Sequence, residues 1–306
     1  MPVLFVDHPY PAAYDDIVAG RAEIVGSGTD DGLDRADAVI AGAVRRWDAA
    51  AVAAAPNVRA VSRIGVGYDN VDVDDLHRVG VVACHTPTAP MVSTAEHTMA
   101  LLLAITKHLP HHVRRARAGL KGEPVGRALE LDGQVLGLVG TGRIASRVAV
   151  AAQALGMRVV ATDPAHDVSP VEGVELLSLD ELLRRSDVVS LHAPALPTTT
   201  HMIDADALAT MRDGAYLVNC ARGALVDHDA LLAALDGGKL AGAALDVTEP
   251  EPLPEGHPLL DRDDVIVTPH IASASVAGRR RLYQHAVDNA LAVIEGRPAS
   301  IVPPSA

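Results

Sequence analysis

Arg222, Glu251 and His270 are the residues of this sequence best suited to act together on a small molecule. Each stands within a few positions of the end of a short apolar run: Tyr216–Val218, Ala243–Leu245 and Val265–Val267 respectively. A guanidinium can hold a carboxylate through two parallel hydrogen bonds and polarise a neighbouring carbonyl. An imidazole can give a proton to a carbonyl oxygen as hydride arrives, or remove it in the reverse direction. A carboxylate beside the imidazole can orient it and favour its charged form. Taken singly, an arginine or histidine at a strand end is more often a structural hydrogen-bonder. The three together matter because of the elements that place them.

Those elements are organised around residues Gln134 to Asp163. Val135, Leu136, Leu138 and Val139 form an apolar run without polar alternation, as a strand buried on both faces requires. Gly140-Thr141-Gly142 makes a tight turn, and Arg143 and Ile144 open a helix with Ile144, Val148, Ala151, Ala152 and Leu155 on one face. A second apolar run ends at Asp163, 23 positions after Gly140, with Ala145 where a third glycine would stand. Strand, glycine turn, helix, strand and terminal acid are the dinucleotide-binding arrangement. Backbone N–H groups meet the pyrophosphate at the helix N-terminus, and the acid takes the ribose diol. The cofactor expected is therefore NAD. Further runs at Val188–Leu191, Tyr216–Val218, Ala243–Leu245 and Val265–Val267 alternate with helical segments, which predicts a parallel sheet. Ligands bind beyond the carboxyl ends of such strands. The residues that follow those ends are His192 and Pro194, then Asn219, Cys220 and Arg222, then Asp246 and Glu251, then Thr268 and His270.

Residues 1 to about 95 read as a first α/β unit, with strands at Val3–Asp7, Glu23–Val25, Ala38–Ala41, Val58–Arg63 and Val81–Cys84. Gly26 to Gly32 resembles a phosphate loop, but no apolar-periodic helix follows, so a solvated turn is expected. Ser93 to Leu109 predicts one helix, with Ser93 or Thr94 as N-cap and Glu96 completing a capping box. Arg114, Arg115, Arg117 and Lys121 read as a solvated face, and Arg279 to Glu295 as an amphipathic helix. His108, His111 and His112 have metal-like spacing without an adjoining carboxylate or cysteine, so no metal is expected. The 306 residues, 49% hydrophobic, suffice for two domains. A net charge of −13 argues against nucleic acid or anionic membrane as a partner. No signal peptide or membrane-length apolar run is visible, and Cys84 and Cys220 make no disulfide framework, so a cytoplasmic location is expected.

Six stretches give the chain a resemblance to the D-isomer-specific 2-hydroxyacid dehydrogenases over nearly its whole length. They are Gly65–Asp72, Thr94–His97, Gly140–Ala145, Asn219–Gly223, Asp246-Val247 with Glu251-Pro252, and Thr268–His270. The steps of 29 positions from Arg222 to Glu251 and 19 from Glu251 to His270 match that family's triad. The resemblance implies two Rossmann-like, flavodoxin-like α/β domains with parallel sheets, the cofactor domain (99–278) inserted in the substrate domain (1–98 plus 279–306), with a cleft that closes on substrate. It implies catalytic roles for Arg222, Glu251 and His270 and puts Asp246 on the nicotinamide carboxamide. Thr94, Pro194 and Thr199 fall at further cofactor positions, and His192, Cys220, Arg222 and His270 line the same edge. The loop at Val66 and Gly67 would receive the substrate carboxylate, because glycines bare N–H groups for an anion. Arg63 falls near the substrate. With Arg78 it also matches arginines that phosphoglycerate dehydrogenases of the family set beside a phosphate. The family's formate dehydrogenases carry glutamine where this chain has Glu251, which argues against formate. The expected activity is interconversion of a small 2-oxo acid and its D-2-hydroxy acid, of glyoxylate or hydroxypyruvate type, by a homodimer. Oxidation of 3-phosphoglycerate is the alternative enzyme reading, and a corepressor-like NAD(H)-sensing protein the alternative of another class.

Overall fold

The computed structural model describes residues 1–122, 128–297 and 299–304. The chain forms two compact units, one made of Met1–Met91 with Ala274–Ala306 and the other of Val92–Ser273.

The first unit is built on β1 (Val3–Val6), β2 (Glu23–Gly26), β3 (Ala38–Ala41), β4 (Ala60–Arg63) and β5 (Val82–Cys84). All pairings are parallel, in the order β2-β1-β3-β4-β5. Short helices α1 (Asp15–Val18), α2 (Ala49–Val52) and α3 (Val73–Arg78) connect the strands. Side chains alternate across a strand, so Phe5, Val39 and Val61 enter one core with Trp47, while Leu4, Val6, Ile40 and Ala60 enter the other. Burial on both faces is why these strands are continuously apolar.

In the second unit, α4 (Met91–Thr106) and α5 (Leu109–Arg117) precede β6 (Val135–Val139), α6 (Arg143–Ala154) and β7 (Arg158–Thr162). Then come β8 (Glu175–Leu176), α7 (Leu179–Arg185), β9 (Val188–Leu191), α8 (Ala205–Thr210) and β10 (Ala215–Asn219). The unit ends with α9 (His228–Asp236), β11 (Leu240–Leu245) and β12 (Val265–Val267). Among the described residues the parallel sheet runs β12-β11-β10-β9-β6-β7-β8, reversing its order at β6 and β9. Ligand crevices open at such reversals. Helices α4 and α6 cover one face through Leu102, Ile105, Val148 and Ala152, and α7 to α9 cover the other through Leu182, Leu208 and Leu231. The last helix, α10 (Val276–Ile294), packs on the first sheet through Tyr283, Ala286, Val287 and Ala290. Ser275 caps it by accepting the Gly278 N–H at 3.0 Å.

All strands but β8 fall where the apolar runs place them, but the helix expected at Ser93–Leu109 differs at both ends. It starts at Met91, with Ser93 and Thr94 buried inside it, because Pro90 fixes a helix-compatible φ just ahead. It stops at Thr106, where His108 at φ +49° separates it from α5. The basic residues of α5 do lie on a helix with no buried positions. A carboxylate does join its histidines: Asp263 ion-pairs with Arg114 and lies 3.5 Å from His111.

Candidate active site

The cofactor edge begins at Gly140, where φ is +104° and a Cβ would stand 3.0 Å from the His192 carbonyl oxygen. Only glycine allows this approach of the β6 turn to the β9 turn. Gly142 is the N-cap of α6 and makes no side-chain cap bond, so the first-turn N–H groups of Arg143 and Ile144 have no capping acceptor from it. An anion is the natural partner there. At the tip of β7, one carboxylate oxygen of Asp163 accepts the Thr141 N–H at 2.8 Å and the Thr141 hydroxyl at 2.7 Å. The other oxygen accepts the Ala165 N–H at 2.9 Å. Burial raises the Asp163 pKa, but the hydrogen bonds from Thr141, Ala165 and His166 outweigh it and bring it to about 2. Asp163 is therefore ionised at neutral pH, and a carboxylate in that state can accept from a ribose diol and repels a 2′-phosphate. NADH should exceed NADPH by at least about tenfold in kcat/KM, and equal efficiency with both would sink the assignment.

The other expected cofactor positions are ordered by local bonds. Thr199 donates its hydroxyl to the Pro194 carbonyl at 2.7 Å and accepts the Leu196 N–H at 2.8 Å, closing one turn. Thr94 is buried in α4, and Thr98 bonds to its carbonyl. Burial pushes the Cys220 thiol up to about 12, so it is no nucleophile. His192 lies 3.0 Å from the Ser190 hydroxyl, and burial pushes its pKa down to about 4. The unfolded chain takes up this proton near pH 6.5, whereas the folded one refuses it until about pH 4. Folding is therefore weakened as pH falls through that window, and His192→Asn should flatten the fall of Tm between those two values. An unchanged slope would mean that His192 carries no such penalty.

The three candidate catalytic residues stand at the ends of β10, β11 and β12. Asn219 shapes the first: its amide donates to the Arg222 carbonyl at 2.8 Å, and its oxygen accepts the Ala221 N–H at 3.0 Å. The Arg222 guanidinium donates to the Ala221 carbonyl at 2.7 Å. Glu251 and His270 meet directly, Oε1 to Nδ1 at 2.7 Å, each side chain about two-fifths exposed (41% and 42%). A carboxylate can only accept, so Nδ1 carries the proton and Nε2 is left to face a substrate. Gly223 follows Arg222, and a Cβ there would lie 2.1 Å from the Thr248 carbonyl oxygen, on the segment leading to Glu251. The atoms it would strike are backbone and cannot rotate aside. Gly223→Ala should therefore shift Thr248–Glu251 away from His270 and lower kcat about a hundredfold, the scale of a misplacement near 1 Å. Native turnover in that variant would show that the segment's position is not critical.

In the first unit, the loop after β4 is tied down by the Gly65 N–H donating to the Thr86 hydroxyl at 2.8 Å. His85 Nδ1 donates to the Val66 carbonyl at 2.9 Å. The Arg63 guanidinium bonds to Asn70 at 3.2 Å and to the Ile64 carbonyl, bracing the loop that holds Val66 and Gly67. Arg78 ends α3 and ion-pairs with Asp75. It therefore sits near the amino end of β5, whereas Gly65–Gly67 follows the carboxyl end of β4. The two arginines of the phosphate reading thus lie at opposite edges of one parallel sheet. Thr141 and His166 were not legible as partners of Asp163, and Asn219, read as a strand-end polar residue, was not legible as the group that holds the Arg222 backbone. Only the position of His166 three places after Asp163 hinted at one of them.

A model of the D-isomer specific 2-hydroxyacid dehydrogenase NAD binding domain matches residues 99–272. The chain is 38% identical over 274 residues to a glyoxylate reductase of Thermofilum pendens, covering 87% of this chain and 81% of that one. It is 42% identical over 257 residues to a D-3-phosphoglycerate dehydrogenase of Mycobacterium bovis, covering 81% of this chain but 47% of that one. The chain thus spans about half of that longer relative. A D-lactate dehydrogenase from Aquifex aeolicus, solved with NAD and lactic acid, superposes with a TM-score of 0.83 at 32% identity, covering 99% of this chain and all of that one.

Proposed function

Because the chain belongs to the D-isomer-specific 2-hydroxyacid dehydrogenase family, we propose that this NAD-dependent oxidoreductase reduces glyoxylate or hydroxypyruvate through Arg222, His270 and Glu251. The observation that carries this reading is the 2.7 Å contact of His270 with Glu251, at the same sheet edge as Arg222 and the Gly140–Asp163 cofactor end. The bound cofactor supplies hydride to the carbonyl carbon. Arg222 holds the carboxylate of the acid and polarises the adjacent carbonyl. His270 gives the Nε2 proton to the carbonyl oxygen, and Glu251 holds the ring so that Nε2 faces it. NADH oxidation by purified protein with glyoxylate, hydroxypyruvate, phosphohydroxypyruvate and pyruvate tests the reading. Turnover confined to phosphohydroxypyruvate would favour the phosphoglycerate reading, which the position of Arg78 disfavours. NADH binding without turnover of any acid would favour the sensor reading.

We also propose a cytoplasmic homodimer. The free thiols of Cys84 and Cys220 suit a reducing compartment. No helix of the described residues is long and apolar enough to cross a membrane. A monomeric mass by light scattering at working concentration would remove the dimer.

A further inference from the structure

We propose that His97, on α4, is a positioning residue for the turn that carries His270, acting through Thr268 and Asp246. The inference rests on the proton-transfer role assigned to His270 above.

His270 occupies a backbone conformation, φ +52°, that residues with a side chain rarely adopt. Something must hold it there, and the bonds around it converge on Asp246 at the end of β11. The Asp246 side chain is buried, and one of its oxygens accepts the Thr268 hydroxyl at 2.6 Å and the Ile271 N–H at 2.9 Å. The other oxygen accepts the Ala272 N–H at 2.8 Å, and the backbone carbonyl accepts the His270 N–H at 2.8 Å. A single buried aspartate therefore bonds on both sides of His270 and to it. Such over-determination is what a strained functional conformation needs.

His97 completes this clamp. Its Nε2 lies 3.2 Å from the Thr268 hydroxyl oxygen and 3.3 Å from the same Asp246 oxygen that Thr268 meets. The direction of the chain follows from donor counting. Thr268 has one hydroxyl proton, and the carboxylate 2.6 Å away can only accept it. The Thr268 oxygen is then an acceptor towards His97, so Nε2 carries a proton. The order is His97 to Thr268 to Asp246. The imidazole side chain is 20% exposed, and its helix is anchored one turn later by buried Leu101. Removing the ring leaves Thr268 short of a donor and Asp246 short of a nearby N–H, and loosens the turn at the point where Nε2 of His270 must be aimed. Asp246 was expected at the nicotinamide carboxamide. These bonds give its carboxylate a second task, and they give His97 one that its sequence motif alone did not assign.

The test is steady-state reduction of glyoxylate together with fluorescence titration of NADH, for His97→Leu, His97→Gln, Thr268→Val and His270→Ala. The leucine and valine variants should each lose about tenfold or more in kcat, with NADH affinity within about twofold of native. Glutamine, whose amide N–H can reach Thr268, should recover kcat to within about threefold of native. Native kcat in the leucine variant would overturn the proposal. So would a glutamine variant as poor as leucine, or loss of NADH binding in step with turnover, which would mark a structural residue only. If His270→Ala itself keeps native turnover, the reading of His270 falls first, and the two failures are told apart by that variant.

Discussion

Arg222→Lys should lose about a hundredfold in kcat/KM for the 2-oxo acid, although the positive charge is kept. The Arg222 backbone is fixed by the Asn219 amide at 2.8 Å, and its guanidinium already gives one N–H to the Ala221 carbonyl at 2.7 Å. A planar five-donor fork can keep that bond and still present two N–H groups to a carboxylate. An ammonium group has three donors on a single atom and cannot do both in one geometry. Losing one charge-assisted bond in the transition state removes about 1.5–3 kcal/mol, which is one to two powers of ten in rate. NADH affinity should change little, because Asp163 and the Gly140 turn, proposed for the ribose and pyrophosphate, follow other strands and are left untouched. A lysine variant with near-native kcat/KM would remove Arg222 from substrate recognition.

Much of this site was legible because the relevant signals are local. The turn at Gly140, the apolar runs and the acid at Asp163 each read from a few neighbouring residues. Arg222, Glu251 and His270 stood out because the strand ends of a parallel sheet share one edge, so residues far apart in sequence could be grouped before any contact was known. What escaped depended on partners elsewhere in the chain. Thr141 is an ordinary turn residue until the Asp163 carboxylate, 22 positions on, takes both its N–H and its hydroxyl. Asp263 reaches Arg114 and His111 only because the segment entering β12 lies beside α5. The start of α4 was misplaced because Ser93 and Thr94 have the right type for a cap, whereas Pro90 had already begun the turn. His108 breaks the helix through its own backbone angle, and Pro110 in the first turn of α5 was the local sign of that break. The two-residue strand β8 is too short to show a period.

His270→Ala should lower kcat by about 10²–10⁴-fold in both directions, the usual worth of a positioned general acid or base. NADH binding should persist, since the substitution leaves the Gly140 turn and Asp163, proposed for the pyrophosphate and ribose, untouched. Glu251→Gln separates charge from geometry. The glutamine carbonyl can still accept the Nδ1 proton across the 2.7 Å contact, so the ring keeps its orientation. What disappears is the negative charge beside the ring. In either direction the transition state carries part of a positive charge on the ring, and that carboxylate stabilises it. The glutamine variant should therefore lose about tenfold in kcat in both directions. The measurement is kcat in both directions for wild type, Glu251→Gln and His270→Ala, with primary isotope effects from deuterated NADH and deuterated hydroxy acid confirming that hydride transfer limits the rate. A loss as large as that of His270→Ala would instead assign Glu251 to holding the ring in place. No loss in either direction would detach Glu251 from the proton transfer altogether, and His270 would then need another orienting group.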